Sequence, residues 1–270
     1  MSAGLAPHDA PEGAQAIRRA MRILRAVVAS QDGGARLVDL VSATELSRPT
    51  VHRILQVLMH EGAVEQDPST RRYFAGPEIA LMGLARGRRF PLLGIAQPNL
   101  RRVSEALGDT VFFSVRRGHD SIAIERLTGS YPLQVLAIAV GARRPLGSGV
   151  SGVAMLAALA SEDARDLLAA NATRLRLLGI ATTRVQAEVA LARRLGYAFK
   201  PQGVVPGTSA VSVPIALGDG AAQAALSVAA VSARLTRERL GEVVPFLQAQ
   251  AADIAQRWQR SHRSARALAA

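Results

Sequence analysis

The chain has 270 residues, 49% of them hydrophobic and only 20% charged, a composition that can bury a core and does not fit wholesale disorder. It contains no cysteine, which excludes disulfides and thiolate metal sites, and no 18-residue apolar run that could span a membrane. The net charge of +12 favours a polyanionic partner, but +3 falls in residues 1–90 and +9 in residues 91–270, so charge alone does not locate a nucleic-acid surface.

Residues 1–13 are polar and rich in Ala, Pro and Gly, with no apolar signal region. They read as a disordered leader, and the expected home is cytoplasmic. From Ala14 to Ser30, Ile17, Met21, Leu24, Val27 and Val28 recur at helical spacing. Asp32-Gly33-Gly34 stops that helix. Leu37 to Ala43 fits a short second helix. Arg48 to His60 fits a third, with Ser47 as its cap, Pro49 in the first turn and Gly62 beyond its end. Residues 63–66 and 72–74 flank the turn Asp67-Pro68-Ser69-Thr70 and predict a hairpin.

Ile79 to Leu84 reads as a linker helix, and Leu92 to Leu107 as a further helix despite Pro98. After Gly108 the period changes to two. Thr110–Arg116, Ile122–Thr128 and Leu133–Ala139 are predicted strands. Helices are predicted at Val150–Ala160, Glu162–Ala170 and Arg184–Leu195, and strands at Ala198–Pro201, Ala210–Ala216 and Ala224–Val231. A last helix covers Thr236 to Arg260, and residues 261–270 read as a basic, flexible tail. The expectation is an α+β chain in two domains: a winged helix-turn-helix over residues 14–76, a linker helix over 77–91, and an effector-binding domain with an antiparallel sheet over 92–260.

Reading a DNA groove needs a rigid helix with one anchored face and one wet face. The third predicted helix meets that need. Val51, Ile54, Leu55 and Leu58 form its apolar stripe, and Arg48, His52, Arg53 and Gln56 lie opposite. Ser47, Arg48, Pro49 and Thr50 stand at its N-terminal end, where amides and hydroxyls can meet phosphates and Arg48 can reach base edges. Arg53 suits a phosphate contact; His52 is a contact or a bystander on the wet face. Arg71 and Arg72 stand at the tip of the expected wing. The bland alternative is a plain three-helix unit with solvated arginines, against which the hairpin argues.

These strings carry a resemblance. Ala16-Ile-Arg-Arg-Ala-Met-Arg-Ile-Leu, Leu46-Ser-Arg-Pro-Thr-Val-His-Arg-Ile-Leu, Glu61-Gly-Ala-Val-Glu and Arg72-Tyr73 resemble the IclR family of bacterial regulators. So do Ala142-Arg-Arg-Pro-Leu-Gly-Ser-Gly-Val-Ser-Gly-Val-Ala-Met-Leu-Ala, Leu195-Gly-Tyr-Ala, Gly207-Thr-Ser-Ala-Val-Ser-Val-Pro, Ala225-Leu-Ser-Val and Arg234-Leu-Thr. The likeness runs in order over residues 14–260. It implies a homodimer or homotetramer, binding to a double-stranded DNA operator, and a GAF-like effector domain. By position it also implies a pocket formed by Val150, Ser151, Gly152, Lys200, Ala210, Ser227 and Ala229.

The residues themselves add that small side chains open a helix near Val150, whose free amides suit an anion such as a carboxylate metabolite. For Ser151 and Ser227, capping or strand polarity is an equal alternative. The chain departs from the family at Lys200, where several members carry acidic residues, and at Ala210, where a cysteine can occur. Lys200 is the only lysine and is either a solvated surface group or a partner for an acidic effector. That argues for a carboxylate larger or more apolar than a small 2-oxo acid.

Two other classes remain open. A signalling module could bind small molecules without touching DNA. Gly147-Ser-Gly-Val-Ser-Gly152 also matches a dinucleotide-binding loop, which would make the chain a nucleotide-dependent enzyme. That reading lacks an acid about 20 residues on and the alternating βαβ units it needs. The five histidines are scattered and no G-x-S-x-G occurs, so no enzyme activity, catalytic residue, metal or cofactor is expected.

Overall fold

The computed structural model describes residues 14–30, 33–89, 91–218 and 224–267, except the side chains of 86–89 and 262–267. The predicted leader, residues 1–13, and the last residues of the predicted tail, 268–270, lie outside them. The chain forms two compact units, the first ending at Pro91 and the second beginning at Leu92.

The first unit holds α1 (Gln15–Ala29), α2 (Leu37–Thr44), α3 (Arg48–His60), a hairpin of β1 (Val64–Gln66) and β2 (Tyr73–Ala75), and α4 (Pro77–Arg89). Its core joins Ile23 and Val27 of α1, Leu40 of α2, Val51 and Leu55 of α3, and Val64 and Tyr73 of the hairpin. These are the helical-period positions of three amphipathic segments, closed by a two-stranded lid. Ile54 and Leu58 pack at the margin of this core, half-buried. Between α2 and α3 the chain turns at Glu45, whose φ of 54° is left-handed, and Arg22 of α1 donates to the Thr44 carbonyl at 3.0 Å. That bond ties the turn to α1. The linker helix is longer than its apolar pattern suggested, because it continues through Arg86-Gly87-Arg88-Arg89, which carry no apolar period.

The second unit holds α5 (Leu92–Leu107), β3 (Thr110–Arg117), β4 (Asp120–Leu127), β5 (Arg143–Pro145), α6 (Val150–Ala157), α7 (Ser161–Leu177), α8 (Thr182–Leu195), β6 (Ala198–Lys200), β7 (Thr208–Ile215), β8 (Ala224–Val231) and α9 (Arg237–Ala267). The six strands form one sheet in the order β5-β4-β3-β8-β7-β6, antiparallel throughout. Side chains alternate across it. Phe112, Ser114, Ala210, Ser212, Ala225, Ser227 and Ala229 share the face that takes α6. Val111, Phe113, Val211, Val213, Leu226 and Val228 share the opposite face, toward α5 and α9. β8 is buried from Ala224 to Ala230, as a central strand covered on both faces must be.

Two expectations are corrected. Leu133–Ala139 is not a strand; the edge strand is β5, four residues later. The earlier segment satisfies its backbone on side chains instead: Val135 N–H donates to Thr110 Oγ1 at 3.0 Å, and Arg126 donates to the Leu136 and Ile138 carbonyls at 3.3 and 3.2 Å. Its apolar residues serve a loop in which Val135 and Ile138 are half-buried at the cavity while Leu133 and Leu136 stay exposed. The second correction concerns the C-terminus: α9 continues to Ala267, so residues 261–267 are helical rather than frayed.

Asp109 anchors the second unit. Its side chain is fully buried, and Arg234 Nε and Arg239 NH2 lie 2.8 and 2.6 Å from its two oxygens. Both arginines also donate to the Leu107 carbonyl, and Arg234 lies 3.8 Å over the Tyr131 ring. The residue between α5 and β3 is thereby tied to the start of α9. A turn role alone does not explain such a residue. We expect Asp109→Asn to lower stability by about 3 kcal/mol, because two arginines lose their carboxylate inside the fold. Denaturant unfolding checks this, and a loss below about 1 kcal/mol contradicts it.

Candidate functional sites

The wet face of α3 stands as a row. Arg48, His52, Arg53 and Gln56 are exposed, while Val51 and Leu55 beneath them are fully buried. Ser47 occupies the N-cap position but does not cap. Its hydroxyl pairs with that of Thr50 at 2.8 Å, leaving the first-turn amides of α3 without a side-chain acceptor. Pro49 sits in the first turn, where its missing N–H costs nothing.

The hairpin loop is built on Asp67. Its Oδ1 accepts from the Ser69 and Thr70 amides at 2.9 and 2.7 Å and from their hydroxyls at 2.6 and 3.0 Å. The Ser69 hydroxyl and then the Thr70 amide hold this carboxyl down at about 2. The clasp is therefore complete above the ordinary value of 3.8 and is lost as pH falls through about 2. Arg71 follows in the left-handed region, φ 58°, and is exposed. Arg72 does not stand at the tip as expected: its NH1 donates back to the Gly33 and Gly34 carbonyls at 3.0 and 3.1 Å. It braces the wing against the turn after α1.

In the second unit a cavity of about 350 Å³ lies over the sheet beside the start of α6. All seven positions expected to form a pocket line it: Val150, Ser151, Gly152, Lys200, Ala210, Ser227 and Ala229. The apolar wall comes from Phe112, Val135, Ile138, Leu178 and Ile180. The loop into α6 explains why glycine matters there. Gly147 has φ +96°, and a Cβ on it would stand 2.7 Å from Val185 of α8. The loop follows an edge strand of an antiparallel sheet, so the parallel βαβ setting of a dinucleotide site is absent among the described residues.

The first turn of α6 opens toward this space. Gly149 is its N-cap, and the first helical bond runs from Val153 N–H to Gly149 O at 3.1 Å, which leaves the amides of Val150, Ser151 and Gly152 ahead of it. The hydroxyls of Ser151 and Ser227 are 3.0 Å apart. Ser227 donates to Ser212 at 2.8 Å, and Ser212 to the Leu226 carbonyl at 3.3 Å.

Three cations line the cavity: Arg144, Arg184 and Lys200. Lys200 is not a solvated surface group: its side chain is 16% exposed, it lines the cavity, and its Nζ lies 2.9 Å from Glu188 Oε2. Glu188 also takes Arg184 Nε, at 3.1 Å. Arg144 is the residue that sequence reasoning missed. Its Nε is inaccessible to solvent and has no hydrogen-bond partner. Burial pushes its guanidinium down from the usual arginine value. The signal was present but misplaced. Arg144 pairs with Ser121 in the sheet and so shares its cavity-facing side, whereas Arg143 points out and meets Asp120 at 3.3 Å. Placing a strand at Leu133–Ala139 instead of Arg143–Pro145 hid that alternation.

A desolvated cation without a partner costs stability. Arg144→Met is therefore expected to leave the ligand-free protein as stable as the parent or more so, by about 1 kcal/mol. Thermal unfolding measures this; a drop of several degrees would mean that Arg144 has a structural partner.

Comparison with known proteins assigns both units. Residues 16–68 match the IclR helix-turn-helix domain, and residues 87–256 match the bacterial transcriptional regulator IclR C-terminal domain. The chain is 29% identical over 248 residues to the HTH-type transcriptional repressor AllR of Escherichia coli K12, covering 89% of this chain and 90% of AllR. A solved IclR regulator from Silicibacter superposes with a TM-score of 0.72 at 25% identity, covering 90% of this chain and 96% of that one. An IclR homologue of Microbacterium hydrocarbonoxydans, solved with 4-hydroxybenzoate, superposes with a TM-score of 0.69 at 20% identity, covering 91% and 100%. With a helix-turn-helix unit, an antiparallel-sheet effector unit and both family domains in order, the chain belongs to the IclR family of bacterial transcriptional regulators.

Proposed function

We propose that this regulator binds operator DNA through α3 and the wing, and that its second unit senses a small organic carboxylate which alters that binding. One observation carries the carboxylate: the cavity is lined by three cations, and no Asp or Glu is among the described residues lining it. An anion entering it meets a positive field in a setting of reduced dielectric. The Microbacterium homologue was solved with an aryl carboxylate, which agrees with this choice.

On the DNA side, the exposed row of Arg48, His52 and Arg53 is the groove-facing surface, with Ser47, Pro49 and Thr50 at the phosphate end. Arg71 reaches the DNA from the wing; Arg72 sets the angle of the wing. The regulator works as a cytoplasmic homodimer or homotetramer. Exposed Leu81, Met82 and Leu84 on α4 support self-association, since a regulator reading paired half-sites needs a second copy. Ligand occupancy then selects between oligomer geometries, with residues 77–89 as the connecting segment.

Two measurements test this reading. Fluorescence anisotropy with the intergenic DNA beside the gene should show that Arg48→Ala with Arg53→Ala weakens binding at least tenfold at physiological salt and flattens the salt slope. Unchanged affinity sinks the contact assignment. In a thermal-shift panel the best stabilisers should be carboxylates, 4-hydroxybenzoate among the probes, and their amides should be inactive. A neutral or cationic best hit overturns the carboxylate.

A further inference from the structure

We infer that the cavity takes a 2-hydroxy carboxylate with an apolar body, its carboxylate held by Arg144 and its hydroxyl donated to Ser151. This rests on the carboxylate reading above and narrows it to a chemical class.

The anchor follows from which cation is uncommitted. Arg184 and Lys200 share Glu188, so each is already ion-paired within the protein, with one net positive charge left between the two. Among the described residues the Arg144 guanidinium has no ion-pair partner, and its Nε has no hydrogen-bond partner and is closed to solvent. Its place is also suited to an anion. A Cβ on Gly149, the N-cap of α6, would stand 3.8 Å from Arg144 Nε, so the guanidinium lies beside the open amides of the first turn. One carboxylate can use both, one as a charge-assisted pair and the other as backbone donors.

The hydroxyl follows from the polarity of the serine chain. The Leu226 carbonyl can only accept, so Ser212 must donate to it. Ser212 has one proton, so the next bond requires Ser227 as donor. Ser227 is then spent as well, and Ser151 must donate to Ser227. The direction is forced from one end to the other. Ser151 therefore enters the cavity with its proton committed and offers only lone pairs.

Ser151 lies two residues past Gly149, so those lone pairs stand at the same end of the cavity as Arg144. A ligand whose carboxylate rests there meets Ser151 with the substituent on its 2-carbon. A hydroxyl at that carbon supplies the missing proton. A 2-oxo group would set an acceptor against an acceptor unless Ser151 left Ser227. The cavity, about 350 Å³ in all and walled by Phe112, Val135, Ile138, Leu178 and Ile180, would stay mostly empty around a two- or three-carbon acid.

Four probes on one skeleton test this by calorimetric titration of the full chain: mandelate, phenylacetate, phenylglyoxylate and mandelamide. Mandelate should bind most tightly, about tenfold above phenylglyoxylate, and mandelamide should lose tenfold or more. Arg144→Gln should weaken all three acids at least tenfold and leave mandelamide unchanged. Ser151→Ala should bind phenylacetate as the parent does and erase most of the mandelate advantage; melting of the ligand-free variants shows that they are folded. Equal or tighter binding of phenylglyoxylate or phenylacetate overturns the hydroxyl assignment, and acids indifferent to Arg144→Gln overturn the anchor. If none of the four binds while another carboxylate stabilises the protein, this inference falls and the carboxylate reading stands. If no carboxylate stabilises it, both fall.

Discussion

The two faces of the central strands carry side chains of different size, and the effector cavity follows from that difference. On β3, β7 and β8, one face presents Val111, Phe113, Val211, Val213, Leu226 and Val228, all buried. They fill the space below α5 and α9, where Leu100, Leu247, Ile254 and Trp258 complete a dense core. The other face presents Ala210, Ser212, Ala225, Ser227 and Ala229. Small side chains let α6 approach closely, with Ala154 in the cluster that includes Ala225, while Gly152 lets the helix close on its own entry loop at Leu146 and Gly147. Ahead of its first turn these small side chains leave a gap, walled by Phe112 at the β3 side, and a cavity remains. A single large substitution on the small face would close it without harming the core beneath.

Buried charge is used in two opposite ways on this frame. Asp109 is completed by two arginines and fixes the start of α9; Glu188 is completed by Arg184 and Lys200 at the cavity wall. Each is a charge satisfied within the protein, which holds elements together because removing one partner strands the other. Arg144 is the reverse case. Among the described residues its Nε finds no partner to offset the partial desolvation, so the protein carries an electrostatic cost that an incoming anion can relieve. Stability given up at such a point is consistent with binding rather than with folding.

The DNA-binding unit divides its labour differently. Its core is small and mostly apolar, and α3 owes its rigidity to that core while its arginines stay in water. The wing has almost no core. It is ordered by one carboxylate accepting four hydrogen bonds and by Arg72 reaching back to two carbonyls. Polar bonds of this kind set direction where burial cannot, which is how a three-residue hairpin holds Arg71 outward.

By itself the sequence determined the architecture. Period-3.6 stripes in α1, α2 and α3, the Asp-Pro-Ser-Thr turn, and the switch to period two after Gly108 are local signals, each carried by a few adjacent residues. The ordered motif strings likewise placed seven residues around one cavity. What only the tertiary structure decided was which charges are free. Arg72 and Lys200 read as available because a sequence shows a cation but not its partner; Gly33 and Glu188, which claim them, lie 39 and 12 positions away. Arg144 drew no reading from the sequence because its direction depends on the register of β5 against β4, a pairing across 23 residues. Availability of a charge is a long-range property, set by what the fold brings beside it. It therefore could not be seen until the strands were paired.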